Sequence, residues 1–248
     1  MRFRPTSTAN RQQALQNFER ALEIDPRCVD ARIGIASTLV ANVADGWSSS
    51  TEQDIRRAEQ LLLEVLETGL NSAWAHVAIG ILRRVQSRLS EAKIEFEEAI
   101  TLDRNDAAAF FQLGLTLMFL GQPEAAIPHI EKAIRLNPHD PNTASHYRGL
   151  GACHLLLGHV DRALDLITKA RAENPPLWYA HLDLEGALGL RGDLDEARTA
   201  LAKAIELQPE MNSLAWLHAY PGARSQQYWA LYDKTAAVGL RRTGFPEE

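Results

Sequence analysis

The feature that most constrains this chain is a pattern of small residues that returns at a fixed distance. A spacing of 34 residues recurs in three pairs: Gly80 and Gly114, Ala92 and Ala126, Ala163 and Ala197. The copies share the size of their residues more than their chemistry, which indicates that the repeated spacing reflects how helices pack against one another. A period of this length is typical of stacked helix pairs, in which small residues lie where two helices approach closely. The pattern therefore predicts an all-α chain of helix–turn–helix units.

Glycine and proline mark where the helices of each unit end and begin. Gly121 and Gly192 are placed to end a first helix, because a residue without a Cβ adopts the left-handed conformation at the lowest cost. Pro123 suits the first turn of a second helix. Asp193 and Glu196 have the spacing of a capping box at the equivalent start of a later helix. The turns thus fall at the same place in each copy.

The residue types and offsets of these copies resemble the tetratricopeptide repeat (TPR) family. The resemblance implies a right-handed helix–turn–helix solenoid with about five full repeats, an N-terminal half repeat and a C-terminal capping helix pair that Pro221 breaks. Residues 1–248 are expected to form one solenoid domain. Its parts are a half repeat at 9–26, repeats at 29–70, 72–104, 106–138, 141–175 and 177–209, and a cap at 211–248.

The first repeat carries ten extra residues between its two helices, from Asn42 to Thr51. Trp47 stands in the middle of this insertion. Long loops often carry function and Trp is a common anchor at protein interfaces, so Trp47 is a candidate contact with a partner. The other interpretation, which we favour, is that Trp47 folds back over a gap between helices.

Three stretches resemble a narrower group within the family. They are DGWS from Asp45 to Ser48, AIPHIEKAIRLNPHDP from Ala126 to Pro141, and the closing GLRRTGFPEE. Together they are similar to the C-terminal TPR region of bacterial adenylate/guanylate cyclase-like proteins, a region also seen behind winged-helix DNA-binding domains. This resemblance implies a regulatory or interaction module of a signalling protein and carries over no catalytic residue. The N-terminal MRFRPTSTAN runs directly into an amphipathic helix, and the sequence alone leaves open whether the chain is a fragment or a protein that has lost an upstream domain.

Charge and composition argue against several classes of partner. The formal net charge of -6 gives no basic footprint for a phosphate backbone, so we expect no nucleic acid partner. The longest apolar stretch, from Leu113 to Leu120, is too short to span a membrane, and the N-terminus lacks the apolar core of a secretory signal. The two cysteines, Cys28 and Cys153, lie far apart and suggest neither a disulfide framework nor a metal pair. We expect a cytoplasmic protein.

The sequence contains no pattern that predicts catalysis. It lacks a P-loop, an HExxH and a GxSxG motif. His146 and His154 are eight residues apart, whereas helical zinc ligands usually stand three or four apart. We therefore predict no catalytic residue, no metal, no cofactor and no enzymatic activity, although a fold alone never excludes an activity.

The first helix of each TPR pair lines the concave surface of a solenoid, and here those helices are unusually apolar. The helix AWAHVAIGILRRVQ is apolar on two faces, and a helix of that kind is normally buried on more than one side. We therefore predict an apolar groove for a protein or peptide partner. The predicted groove residues are Trp74, Val77, Ile81, Val85, Phe111, Leu115, Met118, Phe119, Arg148, Leu155, Tyr179 and Leu182. Arg148 is placed to hold an anionic group at the rim of a pocket.

Several coverings of this groove are open from the sequence. In order of preference they are a segment of a partner, a second copy of the chain, and the chain's own termini with the Trp47 loop; neighbouring helices could also cover one another. Small residues at Ser145, Ala152, Gly186 and Gly189 fit either a pocket or close helix packing. The predicted function is a non-enzymatic scaffold that binds a peptide, helix or partner domain. The alternative is a self-associating regulatory module of a cyclase-like or transcriptional signalling protein. A homodimer is then the expected assembly.

Overall fold

The computed structural model describes residues 8–69, 71–220 and 223–248, with the side chains of residues 8 and 9 left out. These residues form fourteen α-helices and no strand. The helices are α1 (Thr8–Ile24), α2 (Val29–Ala44), α3 (Thr51–Glu67), α4 (Ala73–Val85), α5 (Leu89–Leu102), α6 (Ala107–Phe119), α7 (Pro123–Leu136), α8 (Thr143–Leu156), α9 (Val160–Glu173), α10 (Trp178–Arg191), α11 (Leu194–Leu207), α12 (Leu214–Ala219), α13 (Gln226–Lys234) and α14 (Ala236–Thr243). The predicted all-α TPR architecture is confirmed.

The helix pairs fall where the repeat spacing places them. Helix α1 belongs to no helix pair and corresponds to the predicted half repeat. The five pairs from α2/α3 to α10/α11 lie within the five predicted repeats. The C-terminal cap differs in detail, since its described residues form three short helices, α12 to α14, in place of one pair. The break predicted at Pro221 lies outside the described residues.

The chain divides into two compact units. The described part of the first unit is residues 8–69 and 71–116 with Ala223, and the second unit is Leu117–Tyr220 with Arg224–Glu248. In a linear stack each repeat packs mainly on its neighbours, so compact units are expected within a solenoid as well. The single solenoid domain over 1–248 stays a prediction.

Small residues bring the two helices of a pair into contact in both units. A Cβ at Gly80 on α4 would lie 2.5 Å from the ring of Phe96 on α5, and one at Gly151 on α8 would lie 2.7 Å from Ile167 on α9. The paired alanines, among them Ala92 and Ala163, are completely buried. Each repeat therefore closes around the small residues from which the period was recognised.

The helix ends follow most of the predicted signals. Gly121 and Gly192 have φ angles of 78° and 101°, and Pro123 occupies the first turn of α7. The predicted capping box is wrong, because the Asp193 side chain makes no capping hydrogen bond. It accepts instead from Nε of Arg191 in the preceding helix, so an ion pair across the turn has replaced the cap.

The insertion of the first repeat is held against α1. The Arg11 guanidinium lies 4.4 Å from the centre of the Trp47 ring and also pairs with Asp45. The Trp47 amide donates to the carbonyl of Asn42 at 2.8 Å. The loop therefore folds back on its own unit, as we favoured, while 41% of Trp47 stays exposed.

Candidate protein-binding surface

Helix α10 is buried on almost every side. An uninterrupted run from Ala180 to Gly189 is buried, and it includes the charged residues Asp183 and Glu185. Helices α9 and α11 pack on one side of α10, and α14 packs on another. The face of α10 that meets α14 is called the α10 surface, and it is defined by Glu185, Gly186 and Gly189.

The α10 surface takes up α14 by backbone contact. A Cβ at Gly239 of α14 would lie 1.9 Å from the Gly186 carbonyl oxygen, and a Cβ at Gly189 would lie 2.4 Å from the Gly239 carbonyl oxygen. A Cβ at Gly186 would be 3.2 Å from the carbonyl oxygen of Ala236. Contacts this close exclude side chains, so the crossing requires glycine on both helices.

Polar contacts hold the end of α14 and the tail beyond it. Nη1 of Arg242 donates to the carbonyl oxygens of Gly189 and Leu190 at 3.2 and 2.9 Å, which satisfies two of the last carbonyls of α10. The Leu214 amide donates to the Pro246 carbonyl at 2.8 Å, tying the tail to the start of α12. Phe245 is buried as well. The C-terminal segment is thus a docked element of the second unit.

Helix α13 is docked near the end of α6. The rings of Phe119 and Tyr228 lie 6.0 Å apart in an edge-on arrangement, and the Ser225 amide donates to the Phe119 carbonyl at 2.9 Å. The Arg224 guanidinium lies 5.3 Å from the Phe119 ring and 5.5 Å from the Trp229 ring. Together these contacts place an aromatic layer over this part of the second unit.

Arg148 and Asp183 form a buried ion pair between α8 and α10. Arg148 Nε lies 2.6 Å from Asp183 Oδ2, and the guanidinium lies 5.2 Å from the Tyr179 ring. Burial by itself would lower the pKa of Arg148, but the charge and hydrogen bond of Asp183 raise it above its ordinary value. The prediction that Arg148 waits at a pocket rim for an anionic group is wrong, because Asp183 already occupies that role.

Glu185 is the functional candidate that sequence reasoning missed. It lies 34 residues after Gly151 and 12 before Ala197, the place that Gly80 and Gly114 hold in their own repeats. Its side chain is completely buried and meets the hydroxyl of Thr243 on α14. Burial raises the pKa of Glu185 to about 8, against a smaller lowering by the Thr243 hydrogen bond. A carboxyl in a glycine position of the repeat was the signal available in the sequence.

A cavity of about 910 Å³ opens on another side of α10, between α9 and α11. Its floor includes His181 and Leu184, and its walls carry both Lys169 and Glu196. Because both cationic and anionic side chains line the cavity, it does not favour a ligand of one charge sign. Among the described residues, no group of three or more His, Cys, Asp and Glu side chains could hold a metal ion.

Comparisons with known proteins agree with this geometry. Family models of the tetratricopeptide repeat match residues 106–172 and 187–211. The similarity to tetratricopeptide repeats is thus found in these two segments. Both matched segments lie in repeats read from the spacing of small residues, and the second contains the end of α10 with α11. The narrower resemblance to the TPR region of cyclase-like proteins stays a prediction.

Two curated TPR relatives are longer than this chain. Tetratricopeptide repeat protein 6 of Homo sapiens is 22% identical over 201 residues, which is 80% of this chain and 36% of that protein. The BBSome complex member BBS4 of Bos taurus is 28% identical over 165 residues, or 66% and 31% of the two chains. The chain thus spans about a third of the length of these relatives.

Solved TPR structures are similar over most of the chain. YrrB, described as a TPR protein with an unusual peptide-binding site, is 26% identical, with a TM-score of 0.53 over 83% of this chain and 98% of that one. PilF of Pseudomonas aeruginosa is 21% identical, with a TM-score of 0.60 over 92% and 91%. At 21% identity, the similarity to PilF concerns the fold alone. Across 8–69, 71–220 and 223–248, no helix is long and apolar enough to cross a membrane.

The predicted groove residues differ widely in exposure. In the first unit Val77 and Phe111 are buried, Ile81, Val85 and Leu115 are half-buried, and Trp74 is 39% exposed with its ring 6.3 Å from that of Phe18. In the second unit Met118, Leu155 and Leu182 are buried, while Phe119 and Tyr179 are half-buried. Whether these residues bind a partner stays a prediction.

The α10 surface is covered by the chain itself, which is the covering that we ranked third for the predicted groove. The chain's own C-terminal helices lie on it, which makes a partner segment unnecessary for burying α10 in this state. Gly186 and Gly189 serve close helix packing and are not among the residues that line the cavity between α9 and α11. Small residues leave no hydrophobic periodicity that identifies the helix they receive, so the sequence could not predict α14 at this place. What covers the predicted groove stays a prediction.

Proposed function

We propose that the chain is a non-enzymatic protein-interaction scaffold whose α10 surface binds a helix of a partner protein in the place where α14 lies. The observation that carries the proposal is the contact of Gly239 with Gly186 and Gly189, which shows this surface accommodating a helix at backbone distance. A helix-in-groove contact of this kind is a common mode of protein recognition. The peptide-binding site in the description of YrrB is consistent with it.

The α10 surface has the composition of a recognition site and not only of a core. Its centre is made of backbone and small residues, while Glu185 brings a buried carboxyl to it. An ordinary helix contact inside a repeat is apolar, as between Gly80 and Phe96. Buried polar groups restrict which helix can bind, because an occupant that leaves them unsatisfied loses affinity.

The tethered α14 sets the affinity that a partner needs. A segment on a short linker competes at an effective concentration in the millimolar range, and the apparent affinity of a partner falls by the fraction of molecules in which the surface is open. A partner therefore binds measurably only if its helix fits better than α14 or if α14 has been weakened. The C-terminal helices act as an internal competitor.

The experiment uses a substitution that dislodges α14 in the full chain. Leucine at position 239 cannot lie against Gly186, so Gly239→Leu is expected to free the α10 surface. The probe is a labelled synthetic peptide of residues 225–248, and its binding is measured by fluorescence anisotropy. The matched control is Ala230→Leu, which adds the same side chain at an exposed position of α13.

We expect Gly239→Leu to bind the peptide at least about ten-fold more tightly than the wild-type chain and the control do. Equal binding by all three, or no binding by Gly239→Leu with its helix content unchanged in circular dichroism, contradicts the proposal. Peptide binding and helix content are both measured without an enzymatic assay.

Self-association is the second candidate function, favoured by the same docked segment. The α14 of one copy could occupy the α10 surface of a second copy through the contacts that it makes within one chain. Such exchange would make the chain a self-associating regulatory module, as in the signalling proteins that its sequence resembles. Sedimentation velocity separates the two: an exchanged dimer forms in the wild type and is lost in Gly239→Leu, whereas a scaffold stays monomeric in both.

A further inference from the structure

Glu185 is not explained by the packing of the repeat. A completely buried carboxyl is costly unless its oxygens are satisfied, and Glu185 Oε2 has no hydrogen-bond partner among the described residues. Glu185 Oε1 meets only the Thr243 hydroxyl, which α14 brings to it. The group thus gains its contact from the occupant of the α10 surface.

The Thr243 hydroxyl lies next to two hydrogen-bond acceptors, which bears on the protonation of Glu185. Thr243 Oγ1 lies within hydrogen-bond distance of Glu185 Oε1 and 2.7 Å from the carbonyl oxygen of Leu240. One hydroxyl proton can serve only one of these two acceptors. When Glu185 is charged, Thr243 donates to Oε1 and no proton is left for the Leu240 carbonyl; when Glu185 is neutral, its carboxyl can donate to Oγ1 while Thr243 donates to Leu240. Burial favours this neutral form and raises the pKa of Glu185 to about 8.

Charged groups around Glu185 are engaged elsewhere. Asp183 on the same helix is paired with Arg148 of α8, and Tyr232 of α13 is a buried phenol whose pKa burial raises. On α14, Arg241 pairs with Glu247 and Arg242 is directed to the α10 carbonyls. The charged residues of α9 and α11 are exposed or half-exposed: Asp161, Arg162, Asp165, Lys169, Arg171, Glu173, Asp195, Glu196, Arg198, Lys203 and Glu206.

We propose that Glu185, in its neutral form, selects the helix that the α10 surface takes: one with small residues three apart and a serine or threonine hydroxyl four residues after the second. Helix α14 is the template, with Ala236, Gly239 and Thr243 at those places. The inference rests on the proposed function and names the chemistry of the partner. A helix without the hydroxyl leaves a buried donor unsatisfied.

Binding of such a helix is coupled to a proton. When the surface opens, Glu185 reaches water and its pKa returns toward its ordinary value of 4.5, whereas in the occupied state it is about 8. Between these values only the occupied state holds the proton, so occupancy weakens about ten-fold per pH unit as the pH rises and levels off above pH 8. From pH 6 to pH 8 the expected loss is roughly 50-fold.

The test in trans uses the full chain with Gly239→Leu and two peptides of residues 225–248. One has the natural sequence and the other carries Thr243→Val, which keeps the shape and removes the hydroxyl. At pH 6 the valine peptide is expected to bind about ten-fold more weakly. Adding Glu185→Gln to the protein keeps a neutral donor, so the natural peptide should bind it with an affinity that is the same at pH 6 and pH 8.

A second measurement avoids the Gly239 substitution. Hydrogen exchange of the α14 amides is compared between the wild type and Glu185→Gln at each pH, which cancels the intrinsic pH dependence of exchange. The ratio of wild-type to variant exchange should rise roughly 50-fold from pH 6 to pH 8. A constant ratio overturns the inference even if Gly239→Leu does not fold.

The outcomes separate the two proposals. Absence of any peptide binding in trans overturns the scaffold function. Binding that is equal for both peptides, or that has the same pH dependence with glutamate and glutamine at position 185, leaves the scaffold function standing and overturns the role of Glu185.

Discussion

Gly239 and Gly186 pack backbone against backbone, although they belong to helices at different places in the chain. The hypothetical Cβ of Gly239 would be 1.9 Å from the Gly186 carbonyl oxygen, which is far inside a normal contact distance. The C-terminal helix can therefore lie on α10 in this way only while position 239 lacks a side chain. This relationship makes the docked helix a structural element of the second unit and, under the proposed function, the segment that a partner helix has to displace.

Alanine substitutions along this crossing are expected to have graded effects. Gly239→Ala should destabilise the chain by about 1–3 kcal/mol, because the methyl group meets backbone and forces α14 to move. Gly186→Ala should cost less, since its Cβ would lie 3.2 Å from the Ala236 carbonyl oxygen and alanine gains up to about 1 kcal/mol of helix propensity. Urea unfolding curves give both values, and a larger loss for Gly186→Ala would contradict the geometry.

Removing one member of the buried ion pair is expected to be severe. Arg148→Met leaves the Asp183 carboxylate buried without its partner, and the free energy of unfolding should fall by about 3–5 kcal/mol. The double variant Arg148→Met, Asp183→Leu removes the stranded charge and should recover most of the loss. Chemical denaturation checks both variants; a double variant no more stable than Arg148→Met alone would show that the pair does more than neutralise itself.

The two cysteines should differ in reactivity. Burial raises the pKa of the Cys153 thiol to about 12, so almost no thiolate is present at pH 8, and its side chain is closed to reagents. Cys28 is half-buried at the start of α2. A colorimetric thiol assay should count one fast thiol per native chain and two after denaturation. Two fast thiols in the native chain would contradict the packing of α8.

Arg11 is expected to hold the Trp47 loop in place. Arg11→Met removes the ion pair with Asp45 and the cation over the Trp47 ring while keeping an apolar side chain on α1. Because such contacts contribute about 0.5–1 kcal/mol each, the loop should open more often without loss of helix content. Limited proteolysis by a nonspecific protease should cleave between α2 and α3 several-fold faster, and an unchanged rate would show that other contacts hold the loop.

The repeat could be recognised from the sequence because its signals are local. Gly80 packs on Phe96 within one helix pair, and Gly121 and Gly192 end helices by their own backbone conformation. The insertion also makes a local contact, since Arg11 of α1 lies over the Trp47 ring, while a cover by Trp47 over a gap between helices stays a prediction. The capping box failed for an equally local reason, because Arg191 competes for the Asp193 carboxylate.

The α10 surface could not be recognised in the same way. Arg148 resembled a free cation at a rim until Asp183 was placed opposite it. Gly186 and Gly189 fit a pocket and a close crossing equally well in one dimension. Only the position of α14 distinguishes the two, because the amphipathic pattern of α14 shows that one face is buried and does not identify the helix that this face meets.

The spacing of small residues was sufficient to establish a stack of helix pairs and the bounds of each pair, because those contacts recur between residues near one another in the chain. What lies on α10 was decided by the tertiary structure. Thr243 meets Glu185 and Gly239 meets Gly186 across long stretches of sequence, and each of these residues is too small or too polar to reveal its partner before the two helices are brought together.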